Sequence, residues 1–303
     1  MPTVEENLGM WSNYDWSKAG DEWSQGWGGT SSLWWGSLFP RIRHFLPAKK
    51  ILEIAPGYGR FTDYIRFACE HLDIVDLTPR CIEACKQRFA ESSNISYFLN
   101  DGKSLDIIAD DSIDFVFSFD SLVHVELEVL ETYLHQLKRK MKANSIGFFH
   151  HSNIGEYVDP ATGDTPFENV HWRAKSVTAQ KFAEACDAAG LQCITQEIIN
   201  WGGEPLCDCL SVFTPQSSRW ARSNQVVRNG DFWKEALHLA NVQQQYELVK
   251  NQRNKSNIPF IKQLQNEVTI LKDRVSAMET SKFWKFRKTW FQLKKTVGLG
   301  DNE

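Results

Sequence analysis

Apolar residues change their spacing in a regular order from residue 48 onward. Short runs that are rich in β-branched and aromatic residues, such as 51–55 and 113–119, predict buried strands. Between such runs lie stretches with apolar residues at helical spacing, such as 60–69 and 127–141. Strands that alternate with helices in this way predict a parallel sheet with helices on both faces. The pattern therefore predicts an α/β protein.

The strand pattern occurs seven times within residues 48–215. The runs are 51–55, 72–77, 95–99, 113–119, 145–150, 194–199 and 209–213. We therefore expect a seven-stranded, mostly parallel sheet. Residues 1–47 are rich in Trp, Gly and Ser and contain few stretches with apolar periodicity, so we expect them to form an N-terminal cap or lid. The polar residues 216–230 predict a linker.

The last segment, residues 231–303, has a helical pattern of a different kind. Apolar residues recur at spacings of three and four from Ile261 to Met278, which indicates a coiled coil over residues 259–279 and a homo-oligomer. Residues 281–297 contain basic and aromatic residues and no acidic ones. This composition is typical of a helix that lies on an anionic membrane surface. The alternative is an aromatic helix packed within an oligomer or on a partner protein.

The net charge of −4 combines two unlike parts. Residues 231–303 carry thirteen Lys and Arg residues against eight Asp and Glu residues, whereas the other residues carry 21 against 30. Such an acidic body argues against nucleic acid as a partner. The seven cysteines follow no disulfide pattern, no apolar run approaches the roughly 18 residues that cross a membrane, and the N-terminus lacks a secretory pattern. We therefore expect a cytoplasmic protein, attached peripherally to the inner face of the cytoplasmic membrane through its tail.

The turn after the first strand is the most informative segment for predicting what the protein binds. Its residues Gly57 and Gly59 would let the backbone approach a ligand at the start of a helix. Glu53 lies within the first strand, and Asp76 ends the second, where a carboxylate can accept hydrogen bonds from both ribose hydroxyls. Asp101 follows the third strand, where an acid can accept from an adenine amino group. No Lys-Ser or Lys-Thr pair follows the glycines, which argues against a P-loop.

These residues resemble the first motifs of the class I S-adenosylmethionine-dependent methyltransferases, and the resemblance covers roughly residues 49–214. It implies a Rossmann-like fold and S-adenosylmethionine as cofactor. It also implies that the cofactor is bound by Glu53, Ala55, Gly57, Gly59, Asp76, Leu77, Asp101, Gly102 and Ser118. Ala55 stands where the family has its first glycine, and Pro56 is atypical as well. A Rossmann-like protein that binds a nicotinamide is the alternative.

Three histidines follow strands at the edge where ligands bind in such sheets. Transfer of a methyl group to a hydroxyl needs a base, and a neutral imidazole serves this purpose near pH 7. We predict His124 as the base, His151 as the second candidate and His150 as a residue that orients it. The simpler alternative is that these side chains cap strand ends. A divalent metal bound by Asp120 and the histidines is a further alternative, but hard cations prefer several carboxylates, and we predict no metal.

Aromatic side chains predict a wall for the methyl acceptor, because tryptophan stacks on sugar C–H surfaces and on cations. We predict acceptor contacts from Trp16, Trp23, Asp120, Trp172 and Arg173. The chain as a whole resembles bacterial methyltransferases of polysaccharide and glycolipid biosynthesis, and segments 14–16, 124–126, 150–153 and 200–202 carry this resemblance. The resemblance implies O-methylation of a sugar or glycan hydroxyl. A natural-product or other small-molecule O- or N-methyltransferase and a non-catalytic cofactor-binding scaffold are the alternatives.

Overall fold

The structure, a computed structural model, describes residues 3–246 of the chain. The strands within this range are β1 (Ala48–Ile54), β2 (Cys69–Asp76), β3 (Ile95–Leu99), β4 (Ile113–Ser118), β5 (Met141–Ser152), β6 (Leu191–Ile199), β7 (Asp208–Pro215) and β8 (Gln225–Asn229). The α-helices are α1 (Val4–Asn13), α2 (Thr30–Ser32), α3 (Phe39–Ile42), α4 (Thr62–Ile65), α5 (Pro79–Arg88), α6 (Leu127–Lys140) and α7 (Ala179–Ala188). The shorter helical turns are Trp16–Lys18, Asp21–Trp27, Leu33–Leu38, Arg43–Phe45, Leu122–His124 and Ile154–Tyr157. Residues 232–246 are helical as well.

The strands form one sheet in the order β3-β2-β1-β4-β5-β7-β6-β8. Strands β1 to β5 are parallel, whereas β7 runs antiparallel between β5 and β6. The chain moves outward from β1 to β3 and then returns to β4 on the other side of β1. This reversal opens a crevice at the carboxyl ends of β1 and β4, where ligands bind in sheets of this kind.

The prediction of seven strands was wrong, because β8 adds an eighth, parallel to β6. This strand falls within residues 216–230, which the sequence predicted as a linker. Its residues are mostly exposed, and only Val226 and Val227 are apolar. An edge strand that buries so little lacks the apolar pattern by which the other strands were recognised.

Each face of the sheet carries its own apolar core, because successive residues of a strand point to opposite faces. Phe117 of β4 lies on one face with Trp34 of the N-terminal segment. Its neighbour Val116 lies on the other face with Phe182 of α7. Phe232, near the start of the segment predicted as the C-terminal extension, is fully buried in the first of these cores. The N-terminal segment is therefore part of the core on one face of the sheet.

No helix among residues 3–246 is long and apolar enough to cross a membrane. The predicted coiled coil at 259–279 and the basic, aromatic tail at 281–297 lie outside the described residues.

Candidate active site

A cavity of about 550 Å³ lies at the carboxyl ends of β1, β2 and β4. Its walls come from α1 with the following tryptophan-rich segment, from the chain after the ends of β1, β2 and β3, from the segment between β4 and α6, from α6 itself and from Ser176. The cavity therefore lies in the crevice that the strand order creates.

The turn after β1 has a backbone that favours glycine. Ala55, Gly57 and Gly59 all have positive φ angles, of 56°, 57° and 78°. A Cβ atom on Gly59 would lie 2.5 Å from the ring of Phe89, and one on Gly57 would lie 3.0 Å from the ring of Trp16. Gly59 is thus needed for packing, whereas Gly57 allows the close approach of a cavity-lining tryptophan. Ala55 adopts the left-handed conformation although it carries a Cβ atom.

Two buried carboxyl groups line the cavity beside this turn. Asp76 accepts hydrogen bonds from the backbone N–H groups of Thr78 (2.7 Å) and Gly57 (3.1 Å), and burial raises its pKa to about 6 despite these bonds. Glu53 accepts a hydrogen bond from the Thr62 hydroxyl at 2.6 Å, and burial raises its pKa to about 7. Both groups are acceptors, which is the chemistry that ribose hydroxyls and an ammonium group require.

The other predicted cofactor residues divide into two groups. Ala55, Leu77 and Gly102 line the cavity, but Gly59, Asp101 and Ser118 do not. The Asp101 carboxylate accepts hydrogen bonds from the N–H groups of Ser104 (2.6 Å) and Lys103 (2.9 Å), and these bonds lower its pKa. Its predicted role beside the adenine is therefore not retained, because the side chain closes a local turn. Asn100, which sequence reasoning assigned no role, lines the cavity instead.

Ser118 is not retained as a cofactor contact either. Its side chain is fully buried, and its hydroxyl donates to the carbonyl of Ile54 at 2.8 Å. The hydroxyl thus joins β4 to β1. Ser121, three residues further along, lines the cavity in its place and donates to the carbonyl of Ala55 at 2.7 Å.

Tryptophan side chains close one side of the cavity. Trp11, Trp16 and Trp23 line it, and their ring centroids lie between 5.4 and 6.2 Å apart. Trp16 also stacks on Tyr58 of the turn, with centroids 4.5 Å apart and ring planes 4° from parallel. Trp16 and Trp23, which were predicted to contact the methyl acceptor, therefore line the same cavity as the turn after β1.

Asp120 lines the cavity directly after β4. Its carboxylate accepts a hydrogen bond from Arg60 at 2.6 Å, and its backbone has a φ angle of 61°, in the left-handed region. Arg60 in turn donates to the Ser24 hydroxyl at 2.8 Å and lies over the face of Trp23. The ion pair thus joins the sheet to the tryptophan-rich segment.

His150 does not line the cavity but contacts the backbone of Asp120, which does. The backbone N–H of Asp120 donates to Nδ1 of His150 at 3.2 Å, so the imidazole proton lies on Nε2, which faces Asp208 at 3.3 Å. Arg173 donates to both carboxylate oxygens of Asp208, at 2.5 and 2.6 Å. Burial opposes the charge on Asp208, but Arg173 and His150 outweigh it and hold its pKa well below the usual range.

Arg173 and Trp172 are therefore not retained as acceptor contacts. Arg173 is buried in its ion pair with Asp208, and the Trp172 side chain is exposed; neither lines the cavity. The fact that a histidine and an arginine share one buried aspartate could not be read from sequence positions 150, 173 and 208.

The predicted bases His124 and His151 lie outside the cavity wall. His151 is fully buried, its Nδ1–H donates to the carbonyl of Ser152, and its Nε2 accepts from the Ser211 hydroxyl, both at 2.8 Å. We do not retain it as a base, because both ring nitrogens are bound within the core. His124 packs against Trp11, with ring centroids 5.2 Å apart, and burial lowers its pKa to about 4. Its imidazole is neutral near pH 7 but only weakly basic.

Sequence reasoning missed three polar residues that line the cavity, namely Asn7, Glu126 and Ser176. Glu126 stood in a segment that carried the family resemblance, but no pattern indicated its role. Asn7 and Ser176 are separated from it by more than a hundred and by fifty residues, so only the fold brings them together. No group of three or more His, Cys, Asp or Glu residues within 3–246 is arranged to hold a metal ion.

Comparison with known proteins agrees with this geometry. Residues 51–144, from β1 into β5, match the family model of a methyltransferase domain. The chain contains an S-adenosylmethionine-dependent methyltransferase domain. Its cavity suits this cofactor, since Glu53 and Asp76 supply buried hydrogen-bond acceptors beside the turn after β1.

The sequence of the chain is distantly similar to the following proteins. The chain is 27% identical to phosphoethanolamine N-methyltransferase 1 of Zea mays over 151 residues, which cover 48% of this chain and 29% of that protein. It is 34% identical to nodulation protein S of Sinorhizobium fredii over 55 residues, which cover 18% of this chain and 26% of that protein. The chain thus spans less than a third of the length of these relatives.

Solved structures of methyltransferases are also similar to the chain. The crystal structure of an S-adenosylmethionine-dependent methyltransferase from Mesorhizobium loti is 15% identical and covers 58% of this chain and 96% of its own, with a TM-score of 0.45.

Proposed function

We propose that this protein transfers the methyl group of S-adenosylmethionine to a hydroxyl of a sugar in a polysaccharide or glycolipid. One observation carries the proposal: the cavity that contains the glycine turn and Asp76 is also lined by the tryptophans Trp11, Trp16 and Trp23 and by the polar Asn7 and Glu126. Aromatic faces and hydrogen-bonding groups together are the chemistry that recognises a sugar ring.

The bound cofactor would supply an electrophilic methyl group. Asp76 would hold the ribose hydroxyls, and its hydrogen bonds from Gly57 and Thr78 fix its carboxylate at the end of β2. Trp16, stacked on Tyr58, would exclude water from the turn side of the cavity. Arg60 is paired with Asp120, so its charge is neutralised on the wall of the cavity. A neutral acceptor suits this wall better than an anionic one.

A second candidate function is N-methylation of an amine in a small molecule. The similarity to a phosphoethanolamine N-methyltransferase favours it, and tryptophan faces beside carboxylates also attract ammonium groups. A neutral amine is nucleophilic enough to attack the methyl group before it loses a proton, whereas a hydroxyl must lose its proton during the attack. N-methylation therefore places a smaller demand on a base at the site.

Product analysis separates these functions. The full chain is incubated with S-adenosylmethionine labelled in its methyl group and with p-nitrophenyl glycosides of glucose, mannose, galactose and rhamnose, or with ethanolamine and phosphoethanolamine. We expect label in a glycoside ether. Label only in an amine would establish the second candidate, and cofactor binding by calorimetry without labelled product would favour a scaffold.

The tail and the predicted coiled coil add a proposal about location that rests on sequence alone. We infer that residues 281–297 bind an anionic membrane surface and that residues 259–279 join copies of the chain. Lipid-linked glycans lie at membrane surfaces, so a membrane-bound enzyme would meet such an acceptor there.

A further inference from the structure

The two carboxylate oxygens of Glu126 have different surroundings. Oε2 accepts hydrogen bonds from the hydroxyl and, at 3.3 Å, from the backbone N–H of Ser176. Oε1 is buried from solvent and has no hydrogen-bond partner among the described residues. Because an unpaired carboxylate oxygen is costly to bury, this atom requires a donor that none of residues 3–246 supplies.

Ser176 fixes the orientation of this carboxylate. Its hydroxyl donates to Glu126 and accepts from the backbone N–H of Leu127 at 2.9 Å, at the start of α6. The one proton of the serine hydroxyl is therefore used, and the Glu126 side chain is held at the cavity wall with one oxygen engaged and the other without a partner.

Asn7 provides a second acceptor of the same kind. Its Nδ2 donates to the carbonyl of His124 at 3.1 Å, which joins α1 to the segment that carries Glu126. Its Oδ1 is buried and, like Glu126 Oε1, has no partner among residues 3–246. Two acceptors without donors on one cavity indicate a ligand that presents more than one N–H or O–H group, as a sugar diol does.

The other candidates for a base are engaged or lie outside the cavity. His124 does not line the cavity, and burial lowers the pKa of its imidazole to about 4. Asp120 is paired with Arg60, and both nitrogens of His151 are bound within the core. Several carboxylate groups among the described residues line the cavity. Of these, only Glu126 has an oxygen atom that is buried and has no hydrogen-bond partner.

We propose that Glu126 is the general base and that Asn7 binds a neighbouring hydroxyl of the same acceptor. The acceptor oxygen bonds to the methyl carbon of the donor, and its O–H proton passes to Oε1 of Glu126. The bond between that carbon and sulfur breaks with its electron pair left on sulfur, so the sulfonium becomes a neutral thioether. Charge and atoms balance with a methyl ether and a protonated carboxyl group. This inference rests on the proposed transfer to a sugar hydroxyl.

The test compares Glu126→Gln with Glu131→Gln, a substitution of an exposed glutamate on α6, the helix that begins directly after Glu126. With the glycoside that the wild type methylates fastest, we expect Glu126→Gln to lower kcat at least about 100-fold, the contribution usual for a general base. Calorimetry should give a Kd for S-adenosylmethionine within twofold of the wild type. Glu131→Gln should match the wild type in both measurements.

Two further variants separate chemistry from binding. Glu126→Asp, which keeps a carboxylate, should recover part of kcat, and Asn7→Ala should raise KM more than it lowers kcat. A Glu126→Gln variant that retains kcat within twofold while the wild type methylates a glycoside would overturn the role of Glu126 and leave the proposed function standing. If the wild type methylates none of the glycosides, both the function and this inference fail.

Discussion

The backbone N–H of Asp120 donates a hydrogen bond to Nδ1 of His150 at 3.2 Å, and this contact joins the cavity wall to a buried ion pair. On the other side of the imidazole lies Asp208, which Arg173 holds with two hydrogen bonds. Asp120 keeps its left-handed backbone while its carboxylate pairs with Arg60. A charge cluster in the core thus positions a residue of the candidate site.

Asp208→Asn should therefore lower the free energy of unfolding by about 3–5 kcal/mol, because it leaves the buried charge of Arg173 without its partner. The pKa of Asp208 is depressed in the folded state, so its contribution is present above the unfolded pKa of about 3.9 and is lost as the pH falls through the folded value. Urea denaturation at pH 7 and below pH 4 should show a difference between variant and wild type that shrinks in acid.

Asp106→Asn is the matched control for this measurement. Asp106 also pairs with an arginine, Arg139 at 4.0 Å, but its side chain is 83% exposed. We expect a change within about 0.5 kcal/mol at either pH. Equal losses in the two variants would show that the buried cluster contributes no more than a surface pair.

The central part of the fold was predictable because its strands are buried on both faces. Runs such as 113–119 are almost continuously apolar, and the structure has β4 at Ile113–Ser118. The helix predicted at 60–69 is only Thr62–Ile65, because β2 begins already at Cys69. Local spacing could not reveal this limit, since the pairing of Cys69 with Ala48 is a contact between distant residues.

The site was predictable only where function depends on a local motif. Gly57 and Asp76 belong to such motifs, and both line the cavity. The histidines were misleading because sequence shows that a side chain can ionise but not what surrounds it. Glu126 illustrates the converse: its significance depends on Ser176, fifty residues away, which occupies one oxygen and leaves the other without a partner.

Ala55→Gly should stabilise the protein. Ala55 has a φ angle of 56°, a conformation that costs a residue with a Cβ atom roughly 1–2 kcal/mol. The greater freedom of glycine in the unfolded chain offsets roughly 0.5–1 kcal/mol of this, so we expect a gain of about 0.5–1 kcal/mol in thermal or urea denaturation. Ala143→Gly, at an exposed position of β5 without positive φ, should instead be destabilising. A loss of stability in both variants would contradict strain at Ala55.

Glu53→Gln should change how stability depends on pH. The pKa of Glu53 is raised to about 7 in the folded state, mainly by burial, so folding favours its protonated form. Its contribution therefore falls as the pH rises from about 4.3 to above 7, by roughly 3–4 kcal/mol over the whole range. In cofactor-free protein, Glu53→Gln should reduce this fall in the free energy of unfolding. Glu70→Gln, at an exposed position of β2, should leave the profile unchanged, and identical profiles for all three proteins would rule out a buried ionisation at Glu53.

Substitution of the N-terminal tryptophans should lower the stability of the protein where the ring is buried in the core and weaken acceptor binding where the ring lines the cavity. Trp27 is fully buried, so Trp27→Ala should lower the free energy of unfolding by about 3–5 kcal/mol. Trp23→Ala, on the cavity wall, should raise the KM of a glycoside acceptor about tenfold, equivalent to about 1.4 kcal/mol of lost binding. Trp35, with 57% of its side chain exposed, serves as the control, and Trp35→Ala should change neither quantity measurably. An unchanged KM in Trp23→Ala would remove this ring from the acceptor wall.

The tail should direct the protein to anionic membranes through both its charge and its aromatic residues. Residues 281–297 contain six Lys and Arg residues and five aromatic ones. In flotation with vesicles of phosphatidylcholine and phosphatidylserine, we expect the full chain to float and a chain that ends at residue 280 to remain at the bottom. A variant with Trp284→Ala and Trp290→Ala keeps every positive charge, so it distinguishes the two contributions. It should float less than the full chain at 150 mM salt, because salt screens the charges but not the burial of the rings. Equal flotation of the full and shortened chains would show that the tail does not bind the membrane and would favour a protein partner for it.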